Sequence, residues 1–194
     1  MREFTVYLIR YGMYAIYAII IFIIIKRLLS SSIKQYHSNW NTLIDDFNFS
    51  TNDFYKLLRE ELNKTKVEGL SIEIVHHKEG NALSIKRRYL RVSWKDYDYD
   101  ICGFPFGKGF FISWWLLYKN SLGMLLISKI PFIGDWLTKK LFPITYYKID
   151  TASIFMTYAQ SAVLKVIDTI TNDKGIRALT ENERKPILNN IFRR

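Results

Sequence analysis

The chain has 194 residues, 49% hydrophobic and 16% aromatic, with a formal net charge of +10. That is enough for one membrane segment and one modest soluble domain with a buried core. The basic balance, with a sequence pI near 9.6, points to an acidic partner: an anionic lipid surface, nucleic acid or a nucleotide.

Residues 4–25 carry one charged side chain, Arg10, and end in a run of isoleucines. As a helix they span about 33 Å, which matches a hydrocarbon core of about 30 Å. The apolar run is long for a signal peptide and no A-x-A site follows it, so an uncleaved transmembrane helix over residues 1–29 is expected. Lys26, Arg27 and Lys34 follow the span, against Arg2 before it. This asymmetry places the C-terminal part in the cytoplasm, as in a single-pass protein of a bacterial inner membrane. The single cysteine, Cys102, fits a reducing compartment and permits no intramolecular disulfide.

At about 100° per residue, Glu3, Tyr7, Arg10, Tyr11, Tyr14 and Tyr17 fall within one arc of roughly 120°, and Ile21 and Ile25 continue it. A tyrosine belt with a snorkelling arginine accounts for Tyr7 and Tyr11. It accounts poorly for Tyr14 and Tyr17, which lie about 15–20 Å in from residue 4. The other reading is a homo-oligomer interface or pore lining made of Tyr7, Arg10, Tyr11, Tyr14 and Tyr17, with Ile21 and Ile25 as an apolar constriction. One helix cannot enclose a pore, so conduction requires several copies.

Residues 30–66 read as a helical linker. Ile33, Tyr36, Trp40, Leu43 and Phe47 recur at 3-4-3-4 spacing, which predicts a first helix. Ser50-Thr51-Asn52-Asp53 caps a second, with Phe54, Leu57, Leu58 and Leu62 as its apolar face.

Residues 67–194 read as a cytosolic α+β domain. The period changes to two after residue 70, and four strands are expected at 70–76, 82–94, 97–103 and 110–118, joined as an antiparallel meander. Residues 120–143 are apolar, but Lys129, Pro131 and Asp135 interrupt them. They predict a helical hairpin that packs on the domain or lies in the lipid interface. Asp150-Thr151 is expected to cap a long helix over about 152–173, with Gly175 beyond its end. Thr180-Glu181-Asn182-Glu183 resembles a capping box before a last helix that Pro186 shortens.

No catalytic constellation stands out. His76 and His77 are neighbours on a strand and point to opposite faces. Asp96, Asp98 and Asp100 share a strand face, but an EF-type loop would need a glycine and a downstream glutamate. With Lys95-Asp96 at a hairpin tip, Asp100 falls opposite Arg91 and Asp98 opposite Ser93, so cross-strand pairing is the expected use of these carboxylates. The glycines of Gly103-Phe-Pro-Phe-Gly-Lys108-Gly109 suit a phosphate cradle or simply a strand–turn–strand; no Walker pattern is present.

The basic strand suggests ligand binding. Lys86, Arg87, Arg88, Tyr89 and Arg91, with Lys108, form a basic, aromatic cluster suited to phosphates and stacked bases or to anionic lipid. Arg87, Tyr89 and Arg91 share one face and Lys86 and Arg88 the other, unless a bulge near Tyr89 realigns them.

The favoured expectation is an oligomeric membrane effector or ligand-gated pore whose basic domain senses a nucleotide or oligonucleotide, with no cofactor or metal. Its layout, one N-terminal membrane helix before a basic cytosolic domain, is similar to that of small membrane effectors of bacterial anti-phage signalling. The alternative is a membrane-tethered scaffold whose basic domain binds a protein partner or anionic lipid.

Overall fold

The computed structural model describes residues 7, 10–19, 21–22, 36–78, 86–119, 121–128, 130 and 133–188. The chain divides into two compact units: Met1–Lys34 with Ser121–Pro143, and Gln35–Asn120 with Ile144–Arg194.

In the first unit, residues 10–19 and 21–22 are helical (α1), and every described side chain of that stretch is exposed. Among the described residues no helix is long and apolar enough to cross a membrane. The predicted span therefore has no support among them, and Ile25 lies outside the described residues. The expected hairpin is present as α3 (Leu122–Ser128) and α4 (Gly134–Leu141). Its close turn needs Gly134, where a Cβ would sit 2.7 Å from the Ile127 carbonyl oxygen.

The second unit is an α+β domain. Its strands are β1 (Tyr36–Ile44), β2 (Ser71–Lys78), β3 (Lys86–Trp94), β4 (Tyr97–Phe106), β5 (Gly109–Tyr118) and β6 (Ile187–Leu188). They form one sheet in the order β2-β3-β4-β5-β1-β6, antiparallel throughout. The meander β2–β5 follows the predicted four strands. Two further strands, β1 and β6, correct the strand count.

The segment expected to be the first linker helix is β1. Its 3-4 spacing is coincidental. Tyr-His-Ser-Asn-Trp-Asn-Thr-Leu-Ile is rich in strand formers and holds few good helix formers. As a strand it covers the apolar β5, from Ile44↔Phe110 to Ser38↔Leu116. A bulge between Tyr36 and Ser38 leaves both His37 and Ser38 buried.

Helix α2 (Thr51–Asn63) starts where expected, with the Ser50 side chain accepting from the Asp53 amide. Helix α5 (Tyr146–Asn172) begins earlier than predicted, because Thr145 caps it by accepting from the Lys148 amide. Thr151 instead lies inside the helix and donates back to the Tyr147 carbonyl, 2.7 Å away. At the far end Gly175, at φ +66°, lets the Ile176 amide return to the Thr171 carbonyl at 2.9 Å.

Both helices cover one sheet face. Phe54, Leu58 and Leu62 of α2 and Phe155, Ala159, Val163 and Ile167 of α5 share a core with Leu90, Val92, Tyr99, Ile101, Ile112 and Trp114. The capping box at Thr180–Glu183 forms reciprocally, Thr180 N–H to Glu183 at 2.7 Å and Glu183 N–H to Thr180 Oγ1 at 3.4 Å. It starts a turn, not the predicted helix. The C-terminal stretch then crosses back: the Trp40 indole donates to the Glu183 carbonyl at 2.6 Å, and the Ser38 hydroxyl to the Ile187 carbonyl at 3.0 Å.

Gly103 makes room for α2 against the sheet: a Cβ there would lie 2.6 Å from the Phe54 ring. Gly103→Ala is expected to lower unfolding stability by about 1–3 kcal/mol, the usual penalty of overpacking, as read by urea denaturation.

Candidate functional site

Alternation along β3 and β4 places Arg87, Tyr89, Arg91 and Ser93 beside Asp98, Asp100, Cys102 and Phe104, on the sheet face turned away from α2 and α5. The register pairs Arg91 with Asp100 and Ser93 with Asp98, as the hairpin at Lys95-Asp96 predicts.

Asp98 and Asp100 are each 2% exposed. A carboxylate so far from water needs partners, and both have several. Arg91 clamps Asp100 through Nε and Nη2, each 2.6 Å from a different carboxylate oxygen. This bidentate fork is the strongest geometry available to the pair. It raises the Arg91 pKa further, chiefly through the hydrogen bond to Asp100. His77 Nε2 lies 3.0 Å from the second Asp100 oxygen. Asp98 accepts from the Ser93 hydroxyl at 2.6 Å and pairs with Lys119 Nζ at 3.3 Å.

The six residues expected to bind an anionic ligand separate. Arg87, Tyr89 and Arg91 share this face, and Lys86 and Arg88 take the other. No bulge realigns them: β2 and β3 pair without a break from Ser71↔Ser93 to Lys78↔Lys86. The Arg91 guanidinium is held by Asp100. Arg88 bonds Asn52 and lies 5.7 Å over the Tyr55 ring. The Arg87 guanidinium stacks 4.5 Å over Phe104, yet the residue stays exposed, as do Lys86 and Lys108. Tyr89 packs edge-on to His77 at 5.1 Å.

The glycines of the 103–109 segment serve the strand–turn–strand. Gly107 turns at φ +61°, and a Cβ on Gly109 would meet the Ile44 carbonyl oxygen at 2.6 Å. Among the described residues no group of three or more His, Cys, Asp or Glu could hold a metal ion. Burial pushes the Cys102 thiol up to about 11.

On α1, Tyr7, Arg10, Tyr11, Tyr14, Tyr17 and Ile21 are all exposed. The Arg10 Nε reaches Tyr14 Oη at 3.4 Å, so these two stripe residues do lie side by side.

Sequence reasoning missed Lys119 and His77 as carboxylate partners. The reach of His77 depends on the β2–β3 register, which alternation alone does not fix. It also missed buried His37 and Ser38, because the spacing of their segment suggests a helix.

Comparison with known proteins finds no matching family model and no matching curated protein. Among solved structures, the chain is similar to the TTHA0849 protein of Thermus thermophilus, at 18% identity. That match covers 66% of this chain and 97% of the other, with a TM-score of 0.24. Similarity at that level carries no argument about fold or activity.

Arg91→Met leaves Asp100 buried without its main partner and is expected to cost about 3–5 kcal/mol of stability in urea denaturation. Arg91→Met with Asp100→Leu should recover most of that loss. Cys102 should react slowly with a thiol reagent at about pH 8 in the folded chain and fully once urea unfolds it, since the thiolate is the reactive form.

Proposed function

We propose that this chain is a membrane-attached, self-associating binding protein. Its first unit seats in a lipid bilayer, and its α+β domain is the water-facing part that recognises a ligand or partner. The observation that carries this reading is that both helical segments of the first unit expose apolar side chains, although the α+β domain also exposes some, among them Phe106, Tyr146, Tyr147 and Ile154. Tyr11, Ile16, Ile19 and Phe22 of α1 are more than half exposed, and so are Leu126, Ile133, Trp136 and Leu141 of the hairpin. Both segments belong to the same compact unit. Apolar surface on this scale marks a membrane or partner surface. Lys139 and Lys140 in the last turn of α4, with Lys140 over the Trp136 ring at 4.8 Å, suit the headgroup layer of an anionic bilayer.

Residues 4–25, taken whole, have the length and composition of a transmembrane helix, and the flanking bases orient the α+β domain to the cytoplasm. Along α1 the stripe of Tyr7, Arg10, Tyr11, Tyr14 and Tyr17 would face other copies, since an arginine at membrane depth normally faces protein or water.

The ligand-gated effector is a special case of this reading, favoured by one observation: Arg87, braced on Phe104, presents its charge on an exposed face. There the anion would meet Arg87 and the Lys108 of the neighbouring turn, while Lys86 lies on the opposite face and Arg91 and Arg88 act as scaffold.

The chain should float with vesicles of phosphatidylglycerol and phosphatidylcholine and resist extraction by alkaline carbonate. In those vesicles, chemical crosslinking should trap discrete oligomers. Arg10→Leu with Tyr14→Phe and Tyr17→Phe should reduce oligomers several-fold without releasing the protein. Recovery of the wild type in the soluble fraction would refute membrane attachment, and unchanged crosslinking of the triple variant would refute the stripe as the contact.

A further inference from the structure

The α+β domain contains a cleft of about 220 Å³ lined by His37, Ser38, Leu116, Ala152, Met156 and Leu188, with Ser153 at its wall. It lies between the β1 edge of the sheet, the N-terminal half of α5 and the short strand β6. None of the basic residues of the β3 cluster lines it. Its lining is apolar apart from three polar side chains, and one of these is unsatisfied.

His37 is 9% exposed, and its Nδ1 is buried without a hydrogen-bond partner among the described residues. An imidazole nitrogen in that position forfeits about 1–3 kcal/mol unless a partner reaches it. The ring itself is fixed: it packs edge-on against Tyr97 at 5.6 Å and Tyr118 at 6.2 Å. Burial lowers the His37 pKa, so the ring is held neutral. The Ser38 hydroxyl is already engaged with the Ile187 carbonyl, which leaves the buried His37 imidazole and the exposed Ser153 hydroxyl as the polar groups of the lining.

We propose that this cleft is a binding site for a small neutral amphiphile, a phenol or an alcohol. Its hydroxyl pairs with the His37 imidazole, and its apolar body fills the space against Leu116, Ala152, Met156 and Leu188. The size fits, since an apolar cavity of about 150 Å³ holds a benzene ring. A neutral hydroxyl head is selected over a carboxylate because the lining residues supply no cation and a neutral ring cannot compensate a buried negative charge. Met156 adds an adaptable wall. Leu188, on the two-residue strand β6, closes one side of the cleft through the pairing Ser38↔Leu188.

The test uses the full chain in lipid nanodiscs, labelled with nitrogen-15 at histidine. The sequence has three histidines, and His76 and His77 are exposed on β2, so they serve as internal controls. Titration with 4-ethylphenol should move the His37 imidazole resonances saturably and leave those of His76 and His77 in place. Ala152→Leu, which fills the cleft, should abolish the shift. Ethylbenzene, with the same body and no hydroxyl, should shift the His37 nitrogens far less. His37→Phe keeps the ring packing and should remove most of the thermal stabilisation that 4-ethylphenol gives the wild type. A non-saturable drift shared by all three histidines, or an unchanged response in Ala152→Leu, would overturn the proposal.

Discussion

The α+β domain depends on two carboxylates buried in its central strand. Asp98 and Asp100 would be intolerable there alone, since an ionised group out of water costs several kcal/mol after relaxation. The sheet is viable because the β3–β4 register delivers Arg91 and Ser93 directly opposite them. Lys119 follows β5 and reaches Asp98, and His77 reaches Asp100 from β2. The network therefore ties β2, β3, β4 and the end of β5 together on one face, while Phe155, Val163 and the rest of the core tie the other face to α2 and α5. A register slip of one residue would expose the core face and strand the carboxylates at once.

That network also changes what the basic strand can do. Arg91 is part of the scaffold, and Arg88 is drawn toward α2 by Asn52 and Tyr55. The charge left for an acidic partner is smaller than the sequence suggests, and it sits at Lys86, Arg87 and Lys108. Among the described residues four buried side-chain atoms lack a partner, on His37, Tyr99, Trp114 and Thr138, and His37 is the one of these that lines the cleft beside α5.

Much of this was legible before the structure. Alternation located β2 to β5, the tip at Lys95-Asp96 fixed the Arg91–Asp100 and Ser93–Asp98 pairs, and local capping chemistry placed the start of α2 and the Thr180–Glu183 box, although a turn and not the expected helix follows that box. What was not legible depended on long-range pairing. Residues 36–44 carry apolar positions that satisfy a helical spacing, and only the bare edge of β5 makes them a strand. Strand β6 is two residues long and has no periodicity to read. The His37–Ser38 bulge, and with it the cleft, exists only because β1 lies beside both β5 and β6. The start of α5 moved because Thr145 and Asp150 both offer a side-chain acceptor, and which one caps the helix is decided by packing further along.

The central claim is that the unit containing the α3–α4 hairpin meets lipid while the α+β domain stays in water. Its most direct test is tryptophan quenching by brominated phospholipids in the full chain reconstituted into anionic vesicles. Trp136 on α4 is exposed, whereas Trp114 is fully buried in the core of the sheet. The account predicts quenching by lipids brominated near the headgroup, lost in Trp136→Phe. Equal quenching of the wild type and Trp136→Phe, or none in either, would contradict it.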